Sequence, residues 1–321
     1  MVAALWSRRE RRLVRESASA STAVVAGGLG YIGSFITARL VSMGADVTAL
    51  TAHPARPHPL RDNVCVAPFG FDSPATLTET LRGADILYTT YWVRFDRGDT
   101  TFAKAIGNTR TLLRCAADAG VRRVVHLSVT NPSLDSPLPY YRGKAIVEKA
   151  IAESGLSYAI VRPTLVYALG DILVNNIAWL LRRFPAFAVF GDGRYRVQPV
   201  SGEDVAGIAV AAGGLVGNVT LDAAGPDTYT FTEFVGMVRD AVGSRSRLVH
   251  VPPLVALGPA VLMGLFLRDV VITRDEVAGL MCNLLVSAEP PRGATRFAEW
   301  VSANGDRLGR RYASELARHF R

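Results

Sequence analysis

Tyr140 and Lys144 stand four residues apart in the run Tyr140-Tyr141-Arg142-Gly143-Lys144. On a helix that spacing sets both side chains on one face. A tyrosine with an ordinary pKa of ~10 is a poor acid–base group near neutral pH. A neighbouring ammonium lowers that pKa by stabilising the phenolate. The pair then suits proton transfer to or from a carbonyl or alcohol while a nicotinamide passes a hydride. Shortly before it, the apolar run Val124-Val125-His126-Leu127 leads into Ser128 and Thr130, either of whose hydroxyls could steady a substrate oxygen. A third group lies near the start of the chain, where Val24-Val25-Ala26 runs into Gly27, Gly30 and Gly33 at the G-x-x-G-x-x-G spacing. Gly27 permits a tight turn, Gly30 lets the backbone approach a phosphate, and Gly33 lets a helix pack close to a strand. The start of that helix offers N–H groups and a positive dipole end to a diphosphate.

These residues need a frame that brings them together, and the sequence patterning supplies one. Short β-branched runs at 23–26, 46–50, 64–68, 86–88, 124–128 and 159–161 alternate with helical patterns at 32–43, 74–81, 101–119 and 140–154. Such alternation predicts βαβ units, a mostly parallel sheet and helices on both faces. Ligands in such sheets bind outside the carboxyl ends of the strands, where the glycine turn falls. After Pro163 the rhythm weakens. Helices are expected at 172–183, 231–242, 254–267, 274–285 and 294–304, with strand-like pieces at 197–200, 219–222 and 247–251. The expected fold is α/β: a Rossmann-type doubly wound parallel sheet with a smaller, mostly helical C-terminal substrate portion. The expected organisation is a basic arm over 1–21, a nucleotide-binding domain over 22–165, and a substrate-facing portion over 166–321 interleaved with the sheet.

The chain has 321 residues, 49% hydrophobic and 20% charged, with a net charge of +8. Cys65, Cys115 and Cys282 are scattered, which argues against a disulfide framework and for a reducing, cytoplasmic setting. The five histidines show no metal-ligand spacing, so no metal site is expected. The positive charge is not interleaved with aromatics, and no nucleic-acid reader motif is present. Much of the charge lies at the ends, in Arg8, Arg9, Arg11 and Arg12 and in a C-terminal segment at 306–321 that reads as a basic helix. Leu308, Tyr312 and Leu316 recur every fourth residue along that segment. Two uses fit such a face: docking on its own domain, or, with 254–267, a surface for peripheral membrane contact or a hydrophobic substrate. No stretch reaches the ~18–20 clean apolar residues of a membrane span.

In this order the motifs resemble the extended or atypical short-chain dehydrogenase/reductase superfamily, NAD-dependent epimerase/dehydratase-like. The run at 25–33, the helix start at 109–113, Arg122 to Ser128, Tyr140 to Lys144, Arg162-Pro163 and the turn at 199–206 carry the likeness. Within the superfamily, 140–150, 189–204 and 271–281 are most similar to the branch containing the dehydrogenase-like accessory subunit of respiratory complex I. The resemblance implies NAD(P) held at Gly27, Gly30, Tyr31, Ile32 and Gly33, with Thr51, His53, Arg56, Phe71, Thr89, Lys144 and Pro163 completing the cofactor site. It implies a Ser/Thr–Tyr–Lys catalytic group of Tyr140, Lys144 and Thr130, with Ser128 two residues before the hydroxyl slot.

Three positions depart from the pattern. Ala105 stands where an Asn often supports the active site, and Gly70 where an Asp often faces the adenine. Thr51 replaces the acid that holds a ribose 2′-hydroxyl, while His53 and Arg56 lie near enough to attract a 2′-phosphate, which favours NADP(H). The sequence supports an oxidoreductase or epimerase acting on a small or hydrophobic molecule. A non-catalytic cofactor-binding subunit or redox sensor is the alternative, favoured by Ala105 and by the complex I likeness.

Overall fold

A computed structural model describes residues 21–252, 258 and 263–319. The chain opens with β1 (Thr22–Ala26), α1 (Tyr31–Ser42), β2 (Asp46–Thr51), β3 (Cys65–Pro68), α2 (Pro74–Leu81), β4 (Ile86–Thr89), α3 (Phe102–Asp118), β5 (Arg123–Leu127), α4 (Pro139–Ala152) and β6 (Ser157–Pro163). It continues through β7 (Leu165–Tyr167), α5 (Leu173–Arg183), β8 (Ala186–Phe190), β9 (Arg196–Val197) and β10 (Pro199–Ser201). Then come α6 (Gly202–Gly213), β11 (Val219–Ala223), β12 (Tyr229–Thr230), α7 (Phe231–Ala241), β13 (Arg247–Val251), α8 (Arg274–Met281), α9 (Phe297–Asn304) and α10 (Glu315–His319).

The described chain divides into two units. The first takes the residues up to Pro163 together with Gly202–Ala223; the second takes Thr164–Ser201 and the residues from Ala224 on. In the first unit seven strands form one parallel sheet in the order β11-β6-β5-β4-β1-β2-β3. Strand order reverses beside β1, which creates the crevice where such sheets take ligands. Helices α2, α3 and α4 pack on one face, α1 and α6 on the other. Covered on both sides, the central strands need apolar residues at every position rather than alternate ones. Val24, Val25, Ala26, Leu87, Val124 and Val125 are accordingly buried on both faces.

Local signals set the helix starts. Thr101 caps α3 by accepting the Lys104 N–H at 3.1 Å, and Pro139 takes the first position of α4, where a missing N–H costs nothing. The second unit has its own core, with Tyr167, Phe231, Phe234 and Phe297 at its centre. Short two-stranded pairings, β10 with β7, β12 with β9 and β13 with β8, frame its helices.

Several expected elements are shorter than their patterns. The 197–200 piece is two strands, divided at Gln198. The helix expected over 274–285 ends at Met281, since Cys282 closes it and Asn283 turns to φ 57°. The expected C-terminal helix is corrected most. Only Glu315–His319 is helical; Gly309 takes φ +67°, and Leu308 and Leu316 are buried within the second unit. Tyr312 packs edge-on to Trp179 at 5.3 Å and donates to Asp269 Oδ2 at 2.9 Å. Among the described residues, Leu308, Tyr312 and Leu316 of this segment pack on its own unit. The basic arm over 1–20 and most of the 254–267 helix lie outside the described residues. Among the described residues no helix is long and apolar enough to cross a membrane.

Candidate functional site

The glycine turn joins β1 to α1. Gly27 has φ +86°, a conformation that L side chains rarely adopt, and its N–H donates to Leu50 O at 2.9 Å. An added Cβ at Gly27 would lie 2.4 Å from Thr90 Oγ1, and one at Gly33 would lie 2.0 Å from Gly27 O. One at Gly30 would lie 3.0 Å from the same carbonyl. The turn is thus folded so tightly against the helix start that side chains have no room. Gly30 is the N-cap of α1; no side chain caps it and the first turn holds no acid. A helix end of that kind presents main-chain N–H groups and a positive dipole to an anion. Tyr31 and Ile32, the first two helical residues, are half-buried there.

At the end of β2, Thr51 Oγ1 accepts the His53 N–H at 3.2 Å, and Arg56 N–H donates to His53 O at 3.0 Å. One compact turn thus holds Thr51, His53 and Arg56. Gly70, where an acid was the family expectation, has φ +66°. Phe71 stacks on Phe69 at 5.0 Å and meets Tyr91 at 4.9 Å, while Asn108 Nδ2 donates to the Tyr91 hydroxyl at 2.8 Å.

Thr89 ends β4, registered between Ala26 of β1 and His126 of β5. It is fully buried, and its Oγ1 has no hydrogen-bond partner. Ser128 follows β5; its N–H donates to Val161 O at 2.8 Å, yet its buried Oγ has no partner. Thr130 differs, since its Oγ1 donates to Arg162 O at 3.1 Å and its N–H to Pro163 O at 3.0 Å. The Thr130 hydroxyl is therefore spent on β6, and the uncommitted hydroxyl is that of Ser128.

Tyr140 and Lys144 sit one turn apart at the start of α4. Lys144 is only 3% exposed. Its Nζ donates to Leu127 O, at the end of β5, at 2.8 Å and lies 4.8 Å from the centroid of the Trp92 ring. Burial pushes its pKa down to about 7, with Glu148 pulling weakly the other way. Glu148 itself is engaged by Arg162, at 2.9 and 2.6 Å. The half-buried Tyr140 ring meets Trp92 at 6.2 Å, Phe102 at 6.2 Å and Tyr141 at 5.5 Å, all edge-on.

Two further residues lie near Lys144. His126 is buried on β5 with both ring nitrogens unpartnered. Desolvation, then the Lys144 charge, holds its pKa well below the usual imidazole range, so it is neutral. The signal was a polar residue inside an apolar strand. Trp92, in the loop after β4, packs against Lys144, and its trace in the sequence is Gly143. An added Cβ at Gly143 would lie 2.9 Å from Trp92 Cη2.

Residues 27–169 match the family model described as NAD(P)H-binding. The chain is 24% identical to the mitochondrial NADH dehydrogenase [ubiquinone] 1 alpha subcomplex subunit 9 of Arabidopsis thaliana, over 85% of this chain and 73% of that protein. It is 22% identical to a photosystem II assembly factor of Cyanidium caldarium, over 76% of this chain and 78% of that one. Among solved structures it resembles a nucleoside-diphosphate-sugar epimerase of Staphylococcus aureus, with a TM-score of 0.65 at 16% identity, covering 88% of this chain and 99% of that one. The Rossmann-type fold expected from the sequence is thereby borne out, as is the likeness to the complex I subunit.

Proposed function

We propose that this chain, whose residues 27–169 match the NAD(P)H-binding family model, is an oxidoreductase or epimerase of the short-chain dehydrogenase type. It acts on a carbonyl or alcohol through Tyr140 and Lys144. The observation that carries this reading is the bond from Lys144 Nζ to Leu127 O. It puts the amine at the carboxyl end of β5, two strand spacings, roughly 10 Å, from the glycine turn after β1. The residues present fit the cofactor: Gly27 and Gly33 let the turn fold closely against the start of α1, whose uncapped N–H groups suit a diphosphate. A bound nicotinamide supplies hydride transfer; the chain supplies the proton chemistry.

Tyr140 would exchange the proton with the substrate oxygen. Lys144, one helical turn away, would stabilise the phenolate when charged, and the unpartnered Ser128 hydroxyl is the candidate donor to the substrate oxygen. Trp92, Phe102 and Tyr141 surround Tyr140 with aromatic surface, which suits an apolar substrate. The test is cofactor turnover over a panel of carbonyl, alcohol and sugar-nucleotide compounds. Tyr140→Phe is expected to lower turnover by ~10²–10⁴-fold, the usual share of a general acid–base group. A panel without turnover, or a variant equal to the parent, overturns the reading.

A second reading has a specific observation in its favour. The Lys144 amine is covered by the Trp92 ring, and two relatives are named as a complex I subunit and an assembly factor. Under that reading the chain binds cofactor as a non-catalytic subunit, and the panel gives binding without turnover.

A further inference from the structure

The contacts of Trp92 concern access rather than chemistry. Its ring lies on the Lys144 ammonium at 4.8 Å, in the range where a cation is drawn to an aromatic face. The fit is close, because at Gly143 an added methyl would meet Cη2 at 2.9 Å and Cζ2 at 3.0 Å. Only glycine at 143 lets the indole lie this near α4. The ring is held by Phe102, stacked at 5.8 Å, and by the edge of Tyr140. Its backbone is held by less. Trp92 lies in the loop between β4 and α3, and no main-chain hydrogen bond anchors it. That loop is pinned on either side of it instead: by Asn108 on Tyr91, by the Arg97–Thr100 bridge, and by Asp96 accepting the Phe102 N–H. The buried indole N–H has no acceptor, which disfavours the covered state.

We propose that Trp92 is a gate on Lys144: the indole closes over the amine and must withdraw before a cofactor hydroxyl or a substrate can reach it. The gate matters for function only if Tyr140 and Lys144 act as proposed, but its test does not depend on turnover. The chain has three lysines, Lys104, Lys144 and Lys149, of which Lys104 and Lys149 are exposed. They serve as internal references in a labelling experiment on the full chain.

The probe is limiting acetic anhydride over a range of pH, with each site followed by peptide mass spectrometry and each rate divided by that amine's free-base fraction, so that a low Lys144 pKa is not mistaken for access. In the parent protein Lys144 is expected to react at least ten-fold slower than Lys104 and Lys149. Trp92→Ala should speed Lys144 by ten-fold or more and leave the references unchanged, whereas Trp92→Phe, which keeps a ring in place, should retain most of the protection. Gly143→Ala displaces the indole without removing it and should speed Lys144 several-fold, so the test survives if Trp92→Ala does not fold. Labelling of Lys144 at the reference rate in the parent overturns the gate. So does unchanged protection in a folded Trp92→Ala or Gly143→Ala protein. Tyr140→Phe should leave the labelling pattern intact, which separates failure of the gate from failure of the acid–base reading.

Discussion

Lys144 has exchanged water for one carbonyl and one aromatic face, and that exchange has a measurable consequence. Its folded pKa, about 7, lies below the 10.5 of an unperturbed lysine. Between those two values the unfolded chain binds more protons than the folded one, so stability must rise with pH. The gain from this residue is fully present above pH 10.5 and is lost as pH falls through about 7. The slope it contributes approaches about 1.4 kcal/mol per pH unit within that window. Urea unfolding of the parent and of Lys144→Met across the window should give a parent whose stability climbs more steeply by that amount. Parallel curves would show that the amine keeps its charge when folded. The spacing of Tyr140 and Lys144 was legible in the sequence because a helix turn is a local rule. The cover by Trp92 was not, because the contact joins a loop to a distant helix and leaves only Gly143 as its trace. His126 was hidden for the same reason, since its isolation depends on neighbours supplied by other strands and by α4.

The turn between β1 and α1 depends on backbone packing, which makes it unforgiving of small changes. At Gly33 the nearest obstacles to a methyl are Gly27 O at 2.0 Å and Gly27 C at 2.7 Å, and main-chain atoms cannot swing aside as a side chain can. Gly33→Ala should cost ~1–3 kcal/mol, the usual range for overpacking, and should weaken cofactor binding because the cradle must open. Gly107, inside α3, is the control, since nothing lies within 4 Å of its missing Cβ. Gly107→Ala should be stabilising by about 1 kcal/mol on helix propensity alone. Thermal unfolding and cofactor titration of both variants check the pair, and equal behaviour would remove the packing argument. At this scale the strands and helices of the sheet were readable, since apolar runs and helical stripes are dictated by burial on both faces. The C-terminal helix misled because its four-residue recurrence was read without the turn at Gly309. Leu308 and Leu316 are buried from two separate pieces of chain and not from one helix face.

For the molecule as a whole, the layered sheet was legible in the alternating apolar runs and 219–222 already read as strand-like, while no composition change marks where Gly202–Ala223 rejoins the first unit. Cofactor choice is the property that joins local charge to a whole-protein readout. Thr51 leaves β2 without a terminal carboxylate, and His53 and Arg56 share the turn that follows. Thr51 brings no carboxylate against a 2′-phosphate at that strand end, and the positive charge of Arg56 in the same turn would attract one. The net charge of +8 adds a favourable long-range field for the more anionic cofactor. A ligand that binds only the folded state stabilises it by about 2.7 kcal/mol at 100 times its Kd. One that binds ten-fold more weakly gives about 1.4 kcal/mol at the same concentration. That difference corresponds to a shift on the order of 2 °C in Tm for a chain of this length. NADPH should therefore raise Tm more than NADH at equal concentration in low salt, and the gap should narrow as ionic strength screens the phosphate contact. Arg56→Glu should reverse the order by replacing the positive charge of that turn with a negative one. If NADH gives the larger shift in the parent, or if Arg56→Glu leaves the order unchanged, the turn after β2 does not select the cofactor.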